Sequence, residues 1–216
     1  MANMTHVLAV GAKASMSDLF QMNRHSGPLP WTLMSSWLNS SEAQLWLHRL
    51  ENYVDWERPV VRIYGREHFV PRLTAFLAAD GITYCYSGVQ HCGEGWPVWF
   101  IPLLEKVNEV SAVNFNGCLL NLYRNGLDRM GWHADDEAEL DPKSPIASLS
   151  VGATRDFCLK HRQQPLRELL CLRSGDLLIM HPECQQEWLH ALPTRRRVAE
   201  LRINLTFRCF IKGQGA

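Results

Sequence analysis

At 216 residues, with 46% apolar and 20% charged side chains, the chain can build one substantial core and is short for two ordinary domains. Lys plus Arg equals Asp plus Glu at 22 each, and the sequence pI is about 7.1, which excludes a uniformly basic nucleic-acid-binding surface and leaves room for a local patch. The seven cysteines (Cys85, Cys92, Cys118, Cys158, Cys171, Cys184 and Cys209) are odd in number, scattered and free of any Cys-x-x-Cys pair, which argues against zinc ribbons and disulfide frameworks. The expected setting is a reducing one, cytoplasmic in a bacterium or nuclear in a eukaryote. No apolar run approaches the roughly 20 residues that span a bilayer. Val7–Val10 with Ala12-Lys13-Ala14 lacks the charged start and full apolar core of a signal peptide. No membrane partner is expected.

Residues 1–40 are low in charge and carry turn signals at Ser26-Gly27-Pro28 and Pro30, reading as a loose extension with one or two short helices. Ser40-Ser41-Glu42 ahead of Ala43, Leu45, Trp46, Leu50 and Tyr53 predicts a capped amphipathic helix ending near Val54. Pro59 to Arg72 reads as two short strands about Gly65, a hairpin whose tip sets Ile63-Tyr64 between Arg62 and Arg66. Such a tip can wedge into stacked bases while its cations hold phosphates, or it can bury Ile63 and Tyr64 against the preceding helix. Ile82 to Gly88 alternates as a strand with Tyr84 and Tyr86 on one face, either a stacking platform or cross-strand packing. Residues 90–99 read as a loop, and Ile101-Pro102 opens a helix. Beyond 116, eight short β-prone segments follow (118–123, 132–135, 146–152, 155–160, 170–173, 176–180, 187–191 and 200–210), with no strong helix among them. They imply an antiparallel sandwich or barrel, mainly β with flanking helices.

The chemistry concentrates in this last stretch. Placed on one strand, His133 and Asp135 share a face, and a third imidazole from a distant strand completes a 2-His-1-carboxylate set, suited to octahedral Fe(II) with open positions. His190 is the candidate third ligand and His181 its rival; His161, between Lys160 and Arg162, reads as a surface residue. Alternation puts Arg202, Asn204, Thr206 and Arg208 on one face of the final strand, where two guanidiniums suit a dicarboxylate. Asn121 and Tyr123 share a face in the same way. From Arg155 to Lys212 there are eleven Lys/Arg against six Asp/Glu, including Arg195-Arg196-Arg197, which is either a basic patch or a solvated turn.

Taken together, Asn121-x-Tyr123, His133-x-Asp135-Asp136-Glu137, Ser144-Pro145-Ile146-Ala147-Ser148, Arg155-Asp156-Phe157, Trp188-x-His190-x-Leu192-Pro193 and Arg202-x-Asn204-x-Thr206-Phe207-Arg208 form an ordered series. The series resembles the AlkB-type family of Fe(II)/2-oxoglutarate-dependent dioxygenases, in its DNA-repair branch, and the likeness reaches back to about Arg58. The resemblance implies a double-stranded β-helix, or jelly roll, with an N-terminal helical extension (1–57), a nucleotide-recognition hairpin and lid (58–100) and a dioxygenase core (101–213), forming one domain overall. It implies iron on His133, Asp135 and His190, and 2-oxoglutarate held by Asn121, Tyr123, Arg202, Asn204, Thr206 and Arg208. Tyr64, Gly65 and Arg66 would form the wedge hairpin, Tyr86 would stack on the target base, Tyr84 would make a polar contact, and Asp136 and Glu137 would read the extruded base. The implied reaction removes methyl groups from 1-methyladenine or 3-methylcytosine in alkylated duplex DNA, by a monomer, with the base flipped out. Formaldehyde, succinate and CO2 are released. RNA or a protein side chain as substrate, and a catalytically silent nucleic-acid-binding module, are the alternatives; Glu139 and Asp141 read as plain acidic loop.

Overall fold

The computed structural model describes residues 28–63, 66–86 and 89–211, with side chains at 61–63, 66, 85–86 and 89 excepted. Two antiparallel sheets face one another. The larger contains β1 (Trp31–Met34), β4 (Leu73–Ala78), β7 (Gly117–Tyr123), β9 (Ile146–Gly152), β12 (Leu177–Met180) and β14 (Arg202–Arg208), in the order β1-β12-β9-β14-β7-β4. The smaller contains β8 (Met130–His133), β10 (Arg155–His161), β11 (Arg167–Leu172) and β13 (Trp188–Leu192), in the order β11-β10-β13-β8. Two hairpins complete the strands: β2 (Val60–Ile63) with β3 (Arg66–Phe69), and β5 (Thr83–Tyr86) with β6 (Val89–Cys92). This is the jelly roll expected from the sequence, and each of the eight β-prone segments after 116 corresponds to one of its strands.

Strand alternation explains the layering. In β14 the apolar residues Ile203, Leu205 and Phe207 point outward from the sandwich into a core shared with α1 (Ser40–Tyr53) and α2 (Ile101–Ser111), where they meet Leu50, Phe100, Leu103 and Val107. The residues between them, Arg202, Asn204, Thr206 and Arg208, are left facing the smaller sheet. A second core fills one end of the space between the sheets, with Trp31, Phe157, Leu159, Leu178 and Trp188, and a third packs Tyr84 and Ile82 on Leu119 and Phe210. Gly152 ends β9 at φ +92°, where a Cβ would stand 2.5 Å from the Leu201 carbonyl oxygen, so the turn into β10 needs glycine.

The model corrects several local expectations. Trp31–Met34 is a strand, where short helices were expected before residue 40: it pairs with β12 through Trp31↔Met180 and Met34↔Leu177, a partnership almost 150 residues away that no local signal carries. The cap of α1 is Asn39, one residue before the serines; its side chain accepts from Glu42 N–H while Glu42 accepts from Asn39 N–H. β6 (Val89–Cys92) takes up the start of the stretch, 90–99, where a loop was expected, and Leu73–Ala78 is an edge strand on β7. A six-residue helix, α3 (Pro182–Glu187), interrupts the β-rich stretch. No described helix is long and apolar enough to cross a membrane.

Candidate metal and cosubstrate site

β8 and β13 are paired in the smaller sheet with His133 opposite His190, and a register shift between His190 and Leu192 disturbs the pairing there. The two imidazoles meet edge to face with ring centroids 4.2 Å apart, and His190 lies flat on Phe157 at 5.3 Å. Asp135 is not on the strand with His133, as alternation had suggested. β8 ends at His133, and the chain turns so that Asp135 Oδ1 lies 3.8 Å from His133 Nε2. Ligand atoms of His133, Asp135 and His190 all lie within 4.8 Å of one another.

Local chemistry prepares these groups as ligands. His133 Nδ1 is 2.9 Å from the Gly131 carbonyl, which can only accept, so Nδ1 carries a proton and Nε2 is the ring nitrogen turned toward Asp135. Burial, reinforced by the neighbouring His133, holds His190 down at about 3, so it is neutral at physiological pH. Its Nδ1 is buried with no hydrogen-bond partner among the described residues. Burial alone would raise Asp135, but the Arg208 guanidinium, 2.7 Å away, and the two imidazoles overcome it and hold the carboxyl at about 2. Two imidazoles, one of them held neutral by burial, beside an ionised carboxylate fit a divalent metal.

The opposite wall is the inward face of β14 and its neighbours. Arg202, 2% exposed, donates from Nη2 to Ser150 Oγ at 2.8 Å and lies over the Tyr123 ring; burial lowers it to about 10, and its Nε is unsatisfied. Arg208 keeps its charge through Asp135, yet its Nε and Nη1 are also buried and unsatisfied. Asn204 donates to Ser148 Oγ and the Leu149 carbonyl, and Thr206 donates to Asn204 Oδ1. Asn121 accepts from Arg72 Nε at 2.6 Å. Asn121, Tyr123, Arg202, Asn204, Thr206 and Arg208 line one cavity with all three metal-ligand candidates. Buried guanidinium N–H groups left without partners are costly, and an anion with two carboxylates supplies what they lack.

Sequence reasoning missed Ser148, Ser150, Arg72 and Gln185. Ser148 and Ser150 carried a signal, since two hydroxyls two apart in an otherwise apolar strand mark a polar interior face; Arg72 and Gln185 carried none. The rival ligand His181 lies outside the triad; it occupies the position just before α3 without a side-chain capping bond, and its Nε2 is 3.2 Å from Thr32 Oγ1. His161 is not the surface residue expected, because its side chain is buried against Trp188 and its Nδ1 accepts from Gln163 and Gln164 N–H. Of the arginine run, Arg195 pairs with Asp156 while Arg196 and Arg197 are exposed.

On the lid side, Tyr84 is buried and its hydroxyl donates to Glu137 Oε1 at 2.8 Å, burial pushing the phenol well above its usual range. Glu137 Oε2 is buried and unsatisfied, whereas Asp136 is exposed and takes a 2.7 Å bond from Arg162. A wider cavity of about 220 Å³ is lined by Asp136, Glu137 and Arg162 and shares Asp135 and Arg208 with the first. Tyr64 and Gly65 lie outside the described residues, as do the side chains of Arg66 and Tyr86.

Residues 30–208 match the family model of the 2OG-Fe(II) oxygenase superfamily. The chain belongs to this superfamily. Among its relatives, the mouse (Mus musculus) protein named DNA oxidative demethylase ALKBH2 is 42% identical over 160 residues, covering 68% of this chain and 65% of the relative. The Arabidopsis thaliana protein of the same name is 35% identical over 187 residues, covering 74% and 59%. The AlkB-type motifs of the sequence therefore have AlkB-type relatives behind them, and the chain spans about three fifths of their length. A solved structure titled "The structure of OsALKBH1" superposes with a TM-score of 0.60 at 17% identity, covering 86% of this chain and 99% of that one, which bears on the fold alone. The superfamily's cofactors are Fe(II) and 2-oxoglutarate, and the His-Asp-His triad and the unsatisfied arginines fit both.

Proposed function

We propose that this protein is an Fe(II)/2-oxoglutarate-dependent dioxygenase that removes N-linked alkyl groups from DNA bases of the 1-methyladenine and 3-methylcytosine type. The observation that carries the reading is the pairing, in one cavity, of a two-histidine, one-carboxylate set with two buried arginines: Arg202 has no carboxylate partner among the described residues, and Arg208, beyond its bond to Asp135, keeps Nε and Nη1 unsatisfied. The substrate class draws on the relatives named DNA oxidative demethylase and on the acidic lip beside the site.

When bound, iron and 2-oxoglutarate supply the oxidising chemistry, with release of succinate and CO2. The chain's own residues do the rest. His133, Asp135 and His190 would hold the metal. Arg202, aided by Ser150 and Tyr123, receives the far carboxylate of 2-oxoglutarate, and Arg208 fixes Asp135 in its ionised form. Phe157, Met130, Met180 and Leu192 line the remaining wall and keep water out. Glu137, oriented by the Tyr84 hydroxyl, offers its free oxygen to an exocyclic amine, and the carboxylates of Asp136 and Glu137 favour the cationic charge of 1-methyladenine or 3-methylcytosine. A base inside a duplex has to be extruded to reach this depth. The hairpin carrying Tyr64, Gly65 and Arg66 is proposed to fill the gap, Tyr86 to stack on the extruded base, and the protein to act as a monomer.

The test is anaerobic loading with Fe(II) and 2-oxoglutarate, then air and an oligonucleotide with one 1-methyladenine, read by mass spectrometry. Loss of one methyl group that depends on both additions is expected. Succinate without base repair would reject the DNA substrate, and no 2-oxoglutarate turnover on any substrate would reject the enzyme. Tyr64→Ala should impair repair of duplex more than of single strands; equal loss on both would remove the wedge role.

A further inference from the structure

The carboxylate ligand stands outside the strand that carries its imidazole partner, so something other than sheet pairing must hold its backbone. Asp135 N–H donates to Gln185 Oε1 at 3.0 Å, both residues being buried. An N–H can only donate, so the amide oxygen faces Asp135; the amide nitrogen then donates to Met180 Sδ at 3.6 Å, beside the cosubstrate cavity. The Gln185 carbonyl accepts from Arg162 Nη2 at 3.1 Å, and the same nitrogen reaches Asp136 Oδ2 at 2.7 Å. Gln185 lies on α3, the short helix between β12 and β13, and is tied through these bonds to both residues that follow the His-x turn.

We propose that Gln185 is a positioning residue for the metal site: it holds the Asp135 backbone so that the carboxylate, pinned by Arg208 on its other side, faces the two imidazoles before any metal arrives. The proposal rests on His133, Asp135 and His190 being the metal ligands. Outer partners of metal ligands change metal affinity by about 10–100-fold when removed, and Gln185 acts on the one ligand that the sheet does not fix.

The experiment titrates Co(II), a spectroscopic stand-in for Fe(II), into the full chain with 2-oxoglutarate present, following the visible bands of the bound ion. Gln185→Met keeps the bulk of the side chain and removes the acceptor; its apparent Kd for Co(II) should rise about tenfold or more, with altered bands. Gln185→Glu, charged or protonated, still presents an oxygen to the Asp135 N–H, and its Kd for Co(II) should stay well below that of Gln185→Met. Melting of each metal-free variant shows that it is folded; should Gln185→Met not fold, Gln185→Asn, which withdraws the oxygen by one methylene, takes its place with the same expectation. Unchanged Kd and bands in the folded acceptor-less variant overturn the assignment, as does equal loss in Gln185→Met and Gln185→Glu. If the parent chain takes up no Co(II), the ligand set itself is wrong and the assignment falls with it.

Discussion

The two sheets contribute to the site in different ways. The six-stranded sheet presents a continuous face: β14 pairs residue for residue with β7 on one side, from Arg202↔Tyr123 to Arg208↔Gly117, and with β9 on the other. The groups proposed to take the cosubstrate are consecutive inward positions of adjacent strands, so they are placed by the ladder itself. The four-stranded sheet places its candidate metal ligands where its regularity ends, with His133 closing β8, Asp135 past the strand and His190 beside a register shift. An anion clamp can be printed on a regular surface because two guanidiniums need only share a face. Three ligands converging on one point need departures from regularity, and those departures need support from side chains such as Arg208 and Gln185.

The largest expected effect is on the irregular side. Asp135→Ala removes a candidate ligand and strands the Arg208 guanidinium, 3% exposed, without its carboxylate. Breaking one partner of a buried pair costs about 3–5 kcal/mol, so urea unfolding of the metal-free variant should show a loss of that order, with 2-oxoglutarate turnover abolished. Retained turnover would remove Asp135 from the metal site and undo the contrast between the sheets.

Acid comes next and again acts on the smaller sheet. An ordinary imidazole titrates near 6.5, whereas His190 is held at about 3 by burial and by His133. Between those values the unfolded chain binds a proton that the folded chain refuses. Metal-free stability should therefore fall as pH drops below about 6.5, by up to roughly 1.4 kcal/mol per pH unit from this one group. Asp135, held at about 2, adds loss in the same direction only below its ordinary range near 4. In His190→Leu the slope between pH 6 and 4.5, followed by urea unfolding, should be shallower by about one proton; an unchanged slope would mean that His190 is not the buried neutral group described.

The same contrast governs what could be read from the sequence. The face of β14 was legible because period-two alternation is local, and so were Asn121 and Tyr123 on β7. Helix α1 was legible from its apolar spacing, though its cap lay one residue earlier than the serines suggested. The strand β1 was not legible, because four residues between turns become a strand only by meeting β12. Leu73–Ala78 is a short apolar run that suits strand or helix equally until β7 chooses. The choice of candidate metal ligands was carried by motif resemblance, while the position of Asp135 beyond its strand, and the helix that bonds to it, depend on contacts fifty residues apart.

On the regular side, Arg202→Met separates binding from stability. Each lost hydrogen bond to a charged group is worth about 1.5–3 kcal/mol, so KM for 2-oxoglutarate should rise roughly tenfold or more. The metal-free fold should not weaken in step, because the residue removed is a guanidinium that burial already penalises and that no carboxylate among the described residues offsets. Parallel loss of stability and affinity would instead make Arg202 part of the scaffold.

The smallest effect tests whether the larger sheet insulates the site from what packs outside it. Asn39 caps α1, and α1 lies on the outer face of that sheet through Ala43, Trp46 and Leu50, the face opposite Arg202 and Arg208. Asn39→Ala removes the acceptor for Glu42 N–H and breaks the reciprocal box, at a cost of about 1 kcal/mol. Because β14 is held by ladders on both edges, that loss should shift the denaturation midpoint and leave KM for 2-oxoglutarate unchanged. A rise in KM alongside the lost stability would show that the clamp's geometry depends on the helix pressing from behind, and that the regular face is no more self-sufficient than the irregular one.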